Sequence, residues 1–244
     1  MPRSTTSSEW SMAPKLSESR PTAAERILFQ QNDRPQSVVF VASGWIKTVR
    51  LEQDGGGRGV ALYTKGSLLG LAELLAGQKY PETAITLSPS NLCWITNREF
   101  FDFIRTDKRF FGQVNQALSR QTYACEICLA QSGSLPLRPR LEQLIWQLLR
   151  AQGRDGATPN GGRAECKLLA PIQNRDLARM LGVTAACFSR TLKMMETEGV
   201  LQRRKGRLIF PDPKRLWRAP EIESLVESNG GQNDRFTLTD PIYA

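Results

Sequence analysis

The 244-residue sequence contains no histidine. Histidine is the side chain that most often acts as a general acid or base, and it is a common ligand of haem iron. Its absence excludes a histidine-ligated haem and the histidine-containing catalytic triads. The sequence also shows no convergent nucleophile–base pair and no glycine-rich phosphate-binding motif. We therefore expect a protein that is not an enzyme, with no catalytic residue and no cofactor.

Cysteines are few, and long apolar runs are missing. The five cysteines are odd in number and irregularly spaced, which does not fit a disulfide framework. No secretory signal and no apolar run of membrane length precedes them. These features predict a cytoplasmic protein without a membrane partner, in which most thiols are buried as small apolar groups.

Basic residues are concentrated in one part of the chain. The formal net charge is +9, and residues 137–218 hold seventeen Lys and Arg against seven Asp and Glu. The rest of the chain is close to neutral. This segregation predicts one part that binds a polyanion and another part that senses a signal.

Two short helices joined by a glycine turn are predicted from residue 174 onward. Gly182 supplies the turn, and Thr184 is a good N-cap for the second helix. One face of the first helix carries Leu177, Ala178 and Leu181. The second helix has apolar residues at helical spacing, namely Phe188, Leu192 and Met195. Such a pair suits double-stranded DNA, because the second helix can lie in the major groove.

A basic hairpin is predicted after the second helix. Gly199 can end that helix, and residues 200–202 and 207–210 have the pattern of two strands. The tight turn between them carries Arg203, Arg204 and Lys205. These charges are expected to contact DNA phosphates, which give affinity without sequence choice. A solvated charged hairpin on a small helical domain is the alternative.

The remaining segments divide the chain further. Residues 1–22 are rich in Ser, Thr, Pro and charge, and are predicted to form a flexible arm. Residues 23–107 contain many short apolar segments separated by glycine turns, which predicts a β-barrel or jelly roll. Within the basic domain, 137–218, we expect a glycine-rich loop at 153–162. Residues 219–244 are predicted to be a flexible tail of unassigned role.

A long helix is predicted over 108–132. Its alternating spacing of three and four is that of a coiled-coil seam, formed by Phe111, Val114, Leu118, Gln121, Cys125 and Cys128. We interpret it as a dimerisation helix, although a helix packed on its own barrel would show similar spacing. Two DNA-binding domains held together by such a helix can occupy half-sites roughly 34 Å apart.

The order of barrel, long helix and winged helix-turn-helix resembles the cyclic-AMP receptor/FNR family of bacterial transcription regulators. The most specific matches are residues 177–182 and 188–196, and weaker ones are 43–46, 65–70 and 80–84. The resemblance implies an α+β fold with an N-terminal jelly-roll sensor resembling a cyclic-nucleotide-binding domain. It also implies a homodimer in which the sensor reorients the DNA-binding domains, with RNA polymerase as a candidate partner.

By this resemblance, the start of the second helix faces the bases. Arg190 fits an arginine common to the family and can donate two hydrogen bonds to guanine, while contact with a phosphate is the alternative. The glutamate expected just before Ser189 is replaced by Ala186, so few side chains can read the bases directly. A thymine methyl and DNA shape are expected to supply the rest. The predicted DNA-binding residues are Thr184, Ala185, Ala186, Ser189, Arg190, Lys193, Arg203, Arg204 and Lys205.

The sensor departs from the family's cyclic-nucleotide cassette. That cassette has Gly-Glu-Leu and a later arginine, which neutralises the cyclic phosphate. Here the glutamate is displaced to Glu73, and the acid Glu82 stands near the expected arginine. A carboxylate repels a phosphate, so the effector is expected to be an unknown small molecule other than a cyclic nucleotide. We expect Glu73 and Glu82 to be solvated or at the pocket rim. The candidate effector-binding residues are Gly70, Glu73, Glu82, Thr83 and Cys125.

The cysteine pattern also departs from the family's iron–sulfur sensors, which have a cluster near the N-terminus. No cysteine precedes Cys93 here. Cys125 and Cys128 lie three apart on one helix face, where paired helices would bring four thiols together. They can form a disulfide, hold a soft metal, or simply fill a narrow interface. A single Cys-x-x-Cys is weak evidence for zinc, and no metal site is predicted.

We therefore expect a homodimeric, sequence-specific regulator of transcription whose DNA binding is controlled through its barrel. The alternative is a thiol redox or metal-responsive regulator acting through Cys125 and Cys128. A third possibility is a constitutive DNA-binding protein with a ligand-free barrel. The sequence leaves open whether the bound protein activates or represses.

Overall fold

The computed structural model describes residues 19–51, 57–132, 135–152, 157–160, 163–168, 170–204, 207–213, 216 and 242–243. They form an N-terminal β-domain, two connecting helices and a C-terminal helix-turn-helix domain. This is the predicted α+β architecture. No helix in these ranges is long and apolar enough to span a bilayer.

The N-terminal domain consists of two antiparallel sheets. One sheet has the order β1 (Arg20–Thr22), β8 (Ser90–Thr96), β3 (Ser37–Ser43) and β6 (Leu68–Leu69). The other has the order β13 (Ile242–Tyr243), β5 (Gly57–Thr64), β4 (Trp45–Leu51), β7 (Thr83–Thr86) and β2 (Ile27–Phe29). The short helix α1 (Leu71–Ala76) follows β6. The strands confirm the predicted jelly-roll type of domain.

Strand β3 is buried on both faces, which explains its continuous apolar run. Val39 and Val41 pack into the core between the two sheets. Val38 and Phe40 point the other way, against α2 (Asn97–Thr106) and α3 (Lys108–Ser132). Successive side chains of a strand alternate between faces, so a strand without polar positions must be covered twice.

Some apolar residues of helix α3 pack against the barrel of the same chain, and others are exposed to solvent. Phe110 and Val114 are buried against the barrel's outer cluster. Phe111, Tyr123 and Leu129 are exposed. Val114, predicted to lie in an intersubunit seam, therefore packs within its own chain. A spacing of three and four is the same for a helix packed on its own barrel and for a helix paired with a second one, so the sequence pattern alone does not separate the two.

The C-terminal domain surrounds a helical core with a small sheet. Its helices are α4 (Leu137–Ala151), α5 (Asn174–Met180) and α6 (Ala185–Thr197). Its sheet has the order β11 (Gln202–Arg204), β12 (Arg207–Phe210), β10 (Arg163–Lys167) and β9 (Ala157–Asn160). Strand β9 begins inside the segment predicted to be a glycine-rich loop. This short segment forms a strand because it pairs with β10.

The core of the C-terminal domain extends into the barrel. Leu62 of β5 and Ile242 of β13 belong to the same buried cluster as Leu177 and Phe188. Strand β13 pairs with β5, so the prediction of a flexible tail over 219–244 does not hold for Ile242 and Tyr243. The open edge of β5 offers unpaired backbone groups, and Ile242 gains burial there.

Candidate DNA interface and effector site

The turn between α5 and α6 has the geometry that its residues predict. Gly182 has a φ of 66°, a left-handed conformation that favours glycine. Thr184 caps α6, because its Oγ1 accepts a hydrogen bond from the Cys187 amide at 3.2 Å. Gly199, with a φ of 70°, ends the helix at its other side. The predicted helix–turn–helix is thus confirmed at its caps.

One face of α6 is anchored and the opposite face is open. Phe188, Leu192 and Met195 are buried in the domain core. All six helix residues predicted to bind DNA are exposed: Thr184, Ala185, Ala186, Ser189, Arg190 and Lys193. Their spacing places them on one surface of the helix. The structure therefore brings this part of the prediction together as a single solvent-facing surface.

The basic hairpin lies beside α6. Arg203 and Arg204 are exposed on β11. Arg203 forms an ion pair with Glu196 of α6, with 3.5 Å between Nε and Oε2. Arg204 donates from a terminal guanidinium nitrogen to Gln202 Oε1 at 2.7 Å. Lys205 lies outside the described residues. The Arg203–Glu196 pair links the wing to the helix that carries the other candidate residues.

A second ion-pair network holds the far end of α6. Arg138 of α4 donates to Glu198 Oε1 at 2.8 Å and to Glu142 Oε1 at 3.0 Å. These two carboxylates raise the pKa of the Arg138 guanidinium further above its usual range. Arg138 therefore joins the first helix of the domain to the residue at the end of α6.

Tyr80 makes several contacts inside the barrel domain. Its ring stacks on Phe29, with 3.7 Å between ring centroids, and its hydroxyl donates to the Ser37 carbonyl oxygen at 3.3 Å. Gly70 has a φ of 77°, and a Cβ there would lie 3.0 Å from the Tyr80 ring. Burial and the charges of Glu73 and Asp33 raise the pKa of Tyr80 to about 12. Its hydroxyl therefore stays protonated at neutral pH.

Two carboxylates of the barrel, Glu73 and Glu82, interact with one another. Glu73 and Glu82 are each half-buried, and desolvation raises the pKa of both. The charge of Glu73 raises the pKa of Glu82 further, while the Thr48 hydroxyl and Arg50 favour its ionised form. The two acids thus interact with one another. They fit the expectation of rim groups better than that of fully solvated groups.

The remaining candidate effector residues are placed differently. Thr83 is buried, and its Oγ1 accepts from the Gln31 amide at 3.0 Å, so this hydroxyl already has a structural partner. Cys125 is half-buried on α3, a separate element. The side chain of Cys128 lies outside the described residues. Cys93, Cys166 and Cys187 are free thiols.

The structure also shows a contact between the two domains that sequence reasoning missed. Lys47 of β4 reaches Asp176 of α5, with 3.2 Å between Nζ and Oδ2. These residues are 129 positions apart in the chain. No local pattern signals such a pairing. Tyr80, in contrast, lies inside one of the segments that carry the family resemblance.

Comparison with known proteins is consistent with this geometry. A family model of the cyclic nucleotide-binding domain matches residues 20–107, and a model of the Crp-like helix-turn-helix domain matches residues 140–219. The chain is 25% identical to the cyclic AMP receptor protein of Thermus thermophilus over 72% of this chain and 75% of that protein. It is also 25% identical to the transcriptional activatory protein AadR of Rhodopseudomonas palustris, over 82% and 77% of the two chains.

Solved structures show the same architecture. FixK2 from Bradyrhizobium japonicum superposes with a TM-score of 0.69 at 16% identity, covering 81% of this chain and 94% of that one. At this identity the likeness establishes the fold. The two family models together span both domains in the expected order, with the exposed face of α6 inside the second. The chain belongs to the Crp/Fnr family of DNA-binding transcription regulators.

Proposed function

We propose that this regulator acts as a homodimer that binds two-fold symmetric DNA sites and responds to a small molecule other than a cyclic nucleotide. The observation that supports it most is the surface of α6. There, Ser189, Arg190 and Lys193 are exposed beside the wing residues Arg203 and Arg204. Arginine can read guanine in the major groove, while the wing cations suit phosphates. Thr184, Ala185 and Ala186 complete the proposed reading surface.

Selection of bound fragments from the source genome, with and without reductant, tests this function. We expect a two-fold symmetric site with half-sites roughly 34 Å apart, recovered under both conditions. Failure to enrich any sequence over random DNA at physiological salt would contradict it. Sites placed beside promoters would make RNA polymerase the next partner to test.

Exposed apolar residues of α3 support the homodimer. Phe111, Tyr123 and Leu129 are between 41% and 74% exposed on a helix that buries Phe110 and Val114 against the barrel. A second α3 would cover Phe111 and Leu129, which lie on the same side of the helix. Leu129→Glu should shift the protein toward monomer in light scattering and weaken binding to the symmetric site. A variant that remains dimeric would place the interface elsewhere.

Charge and packing in the barrel support an effector other than a cyclic nucleotide. Glu82 stands near the position where the family's nucleotide binders have an arginine, and Tyr80 packs closely over Gly70. A partly desolvated carboxylate disfavours an anionic phosphate. Titration with cyclic AMP and cyclic GMP should therefore leave the melting temperature unchanged, and a saturable increase with either would contradict the proposal.

The thiol alternative is separated by the reductant arm of the same selection. A site recovered under only one redox condition would favour control by Cys125 and Cys128. The paired variant Cys125→Ser with Cys128→Ser should then abolish that dependence. An unchanged dependence in this variant would exclude both thiols as its source.

A further inference from the structure

The sensor barrel and the DNA-binding domain are joined by a shielded ion pair. Lys47 Nζ lies 3.2 Å from Asp176 Oδ2, and the two side chains are only 20% and 7% exposed. Exposed pairs contribute little to stability, because water screens both charges. When one partner of a shielded pair is removed, the other charge stays buried without compensation. Loss of either charge should therefore open this contact.

The contact occupies a face of α5 that is separate from the DNA-reading surface. Asp176 and Met180 are one helical turn apart, and both border the barrel. Leu177 faces the core of its own domain, whereas Arg175 and Arg179 remain exposed. The barrel therefore holds the DNA-binding domain without covering its candidate DNA-binding residues. Such a contact sets the orientation of the reader rather than masking it.

Strand β4 connects this contact to the barrel interior. Neighbouring side chains on a strand point to opposite faces. Lys47 points toward α5, while the next residue, Thr48, is buried and accepts a hydrogen bond from the Ala61 amide at 3.2 Å. Strand β4 also pairs with β7, whose first residue, Thr83, directly follows Glu82 and lies opposite Val49. The same strand thus reaches an acid of the DNA-binding domain through Lys47 and pairs with the strand that follows Glu82 of the sensor.

A small cavity beside the ion pair leaves room for movement. It is lined by Lys47, Thr48 and Leu62 from the barrel and by Ile172, Asp176 and Met180 from the DNA-binding domain. Protein cores are normally close-packed and resist small shifts. The gap therefore lies at the ion pair itself, beside the buried cluster that the two domains share.

We propose that the Lys47–Asp176 pair is an orientation lock through which β4 transmits the state of the barrel interior to the DNA-binding domain. A change at Glu82 that displaces β7 also displaces the paired strand β4 with Lys47, and with it helix α5, which carries Asp176. This inference relies on the proposed function only for what the lock controls, because the coupling itself is measurable without DNA.

Hydrogen–deuterium exchange of the full chain without DNA tests the lock. Lys47→Met and Asp176→Asn each remove one charge with little change in size. Each should raise exchange in β4 and α5 together, by roughly tenfold for a local opening of this kind. Asp102→Asn breaks the exposed pair with Arg105, which spans 3.4 Å within α2, and should change neither segment.

Charge exchange provides the second measurement. The double variant Lys47→Asp with Asp176→Lys should return exchange toward that of the parent protein. Singles that leave β4 and α5 as protected as in the parent would overturn the lock, as would a folded double variant without recovery. If the double variant does not fold, the two charge-removing singles decide.

The relay is tested from inside the barrel. Glu82→Gln should alter α5 exchange by several-fold when Lys47 is present and leave it unchanged in the Lys47→Met background. Equal effects in both backgrounds would show that the two sites are independent and would overturn the relay. DNA affinity of the same variants is a separate readout. A chain that binds no DNA but shows this non-additivity would contradict the proposed function and not the lock.

Discussion

The two domains place their candidate functional side chains in opposite ways. The DNA-binding domain buries Phe188 and Leu192 and turns Arg190 outward on the same helix. The barrel instead withdraws Glu73 and Glu82 from water, close enough to interact. One is a preformed surface that suits a large polyanion. The other is a pair of half-buried acids whose ionisation depends on their surroundings.

The largest effect is expected for the stability of the protein, at the buried face of helix α6. Phe188→Ala removes a fully buried ring and should lower the free energy of unfolding by about 3–5 kcal/mol. Denaturant unfolding combined with exchange of α6 amides measures this. Phe101→Ala, at an exposed phenylalanine of α2, is the control and should cost far less. Equal losses would mean that α6 is not anchored through Phe188.

The second largest effect is expected for DNA binding by the exposed face of helix α6. Arg190→Ala should cost about 1–3 kcal/mol of binding free energy per half-site, because a bidentate contact with guanine is lost. Fluorescence anisotropy on the selected site and on variants of it measures this loss. Selectivity should fall at one base pair, while Arg105→Ala, at an exposed barrel arginine, should bind normally. A loss of equal size on every DNA sequence would assign Arg190 to a phosphate instead.

A smaller effect is expected at the cap that fixes the start of helix α6. Thr184→Ala removes the side-chain cap of α6 and should reduce stability by about 1 kcal/mol. Thermal unfolding followed by circular dichroism measures it. Thr197→Ala, near the opposite end of the same helix, removes only an exposed contact with the Lys193 carbonyl oxygen. If both variants behaved alike, the cap would have no special role.

The smallest expected effect concerns the acids of the barrel. Because folding raises the pKa of Glu73 and Glu82, the folded state holds more protons than the unfolded state just above the ordinary carboxyl pKa. Their stabilising contribution is complete below the unfolded pKa and is lost as pH rises through the raised values. Denaturant unfolding between pH 4 and 7 should show this decline. Glu82→Gln should reduce it, and an unchanged slope would mean that Glu82 is solvated.

Sequence reasoning succeeded where a feature depends on neighbouring residues. The glycine turn at Gly182, the cap at Thr184 and the buried stripe of α6 each follow from residues within one or two helical turns. The DNA-binding candidates at the start of α6 came from the resemblance to the Crp/Fnr family, which places that part of the helix against the bases. The alternation of short strands likewise predicted the type of the barrel domain.

It failed where a feature depends on distant partners. Ile242 lies in a polar tail and becomes a strand only because β5 has an open edge. Val114 fits a heptad, but its burial is set by the barrel rather than by a second helix. Lys47 and Asp176 have unremarkable local sequences, and their pairing exists only in the folded chain. Burial of Glu73 and Glu82 is equally invisible to local pattern.

The two adjacent alanines at the start of α6 have a consequence for how this protein can diverge. Ala185 and Ala186 are exposed, so a larger side chain at either position displaces no core residue. Surface changes of this kind alter stability by about 0.5 kcal/mol or less. In the proposed DNA-binding mode, these positions can therefore acquire new base preferences while the scaffold stays intact. A lineage could then change the DNA sites of this regulator in single mutational steps, without first gaining stability elsewhere.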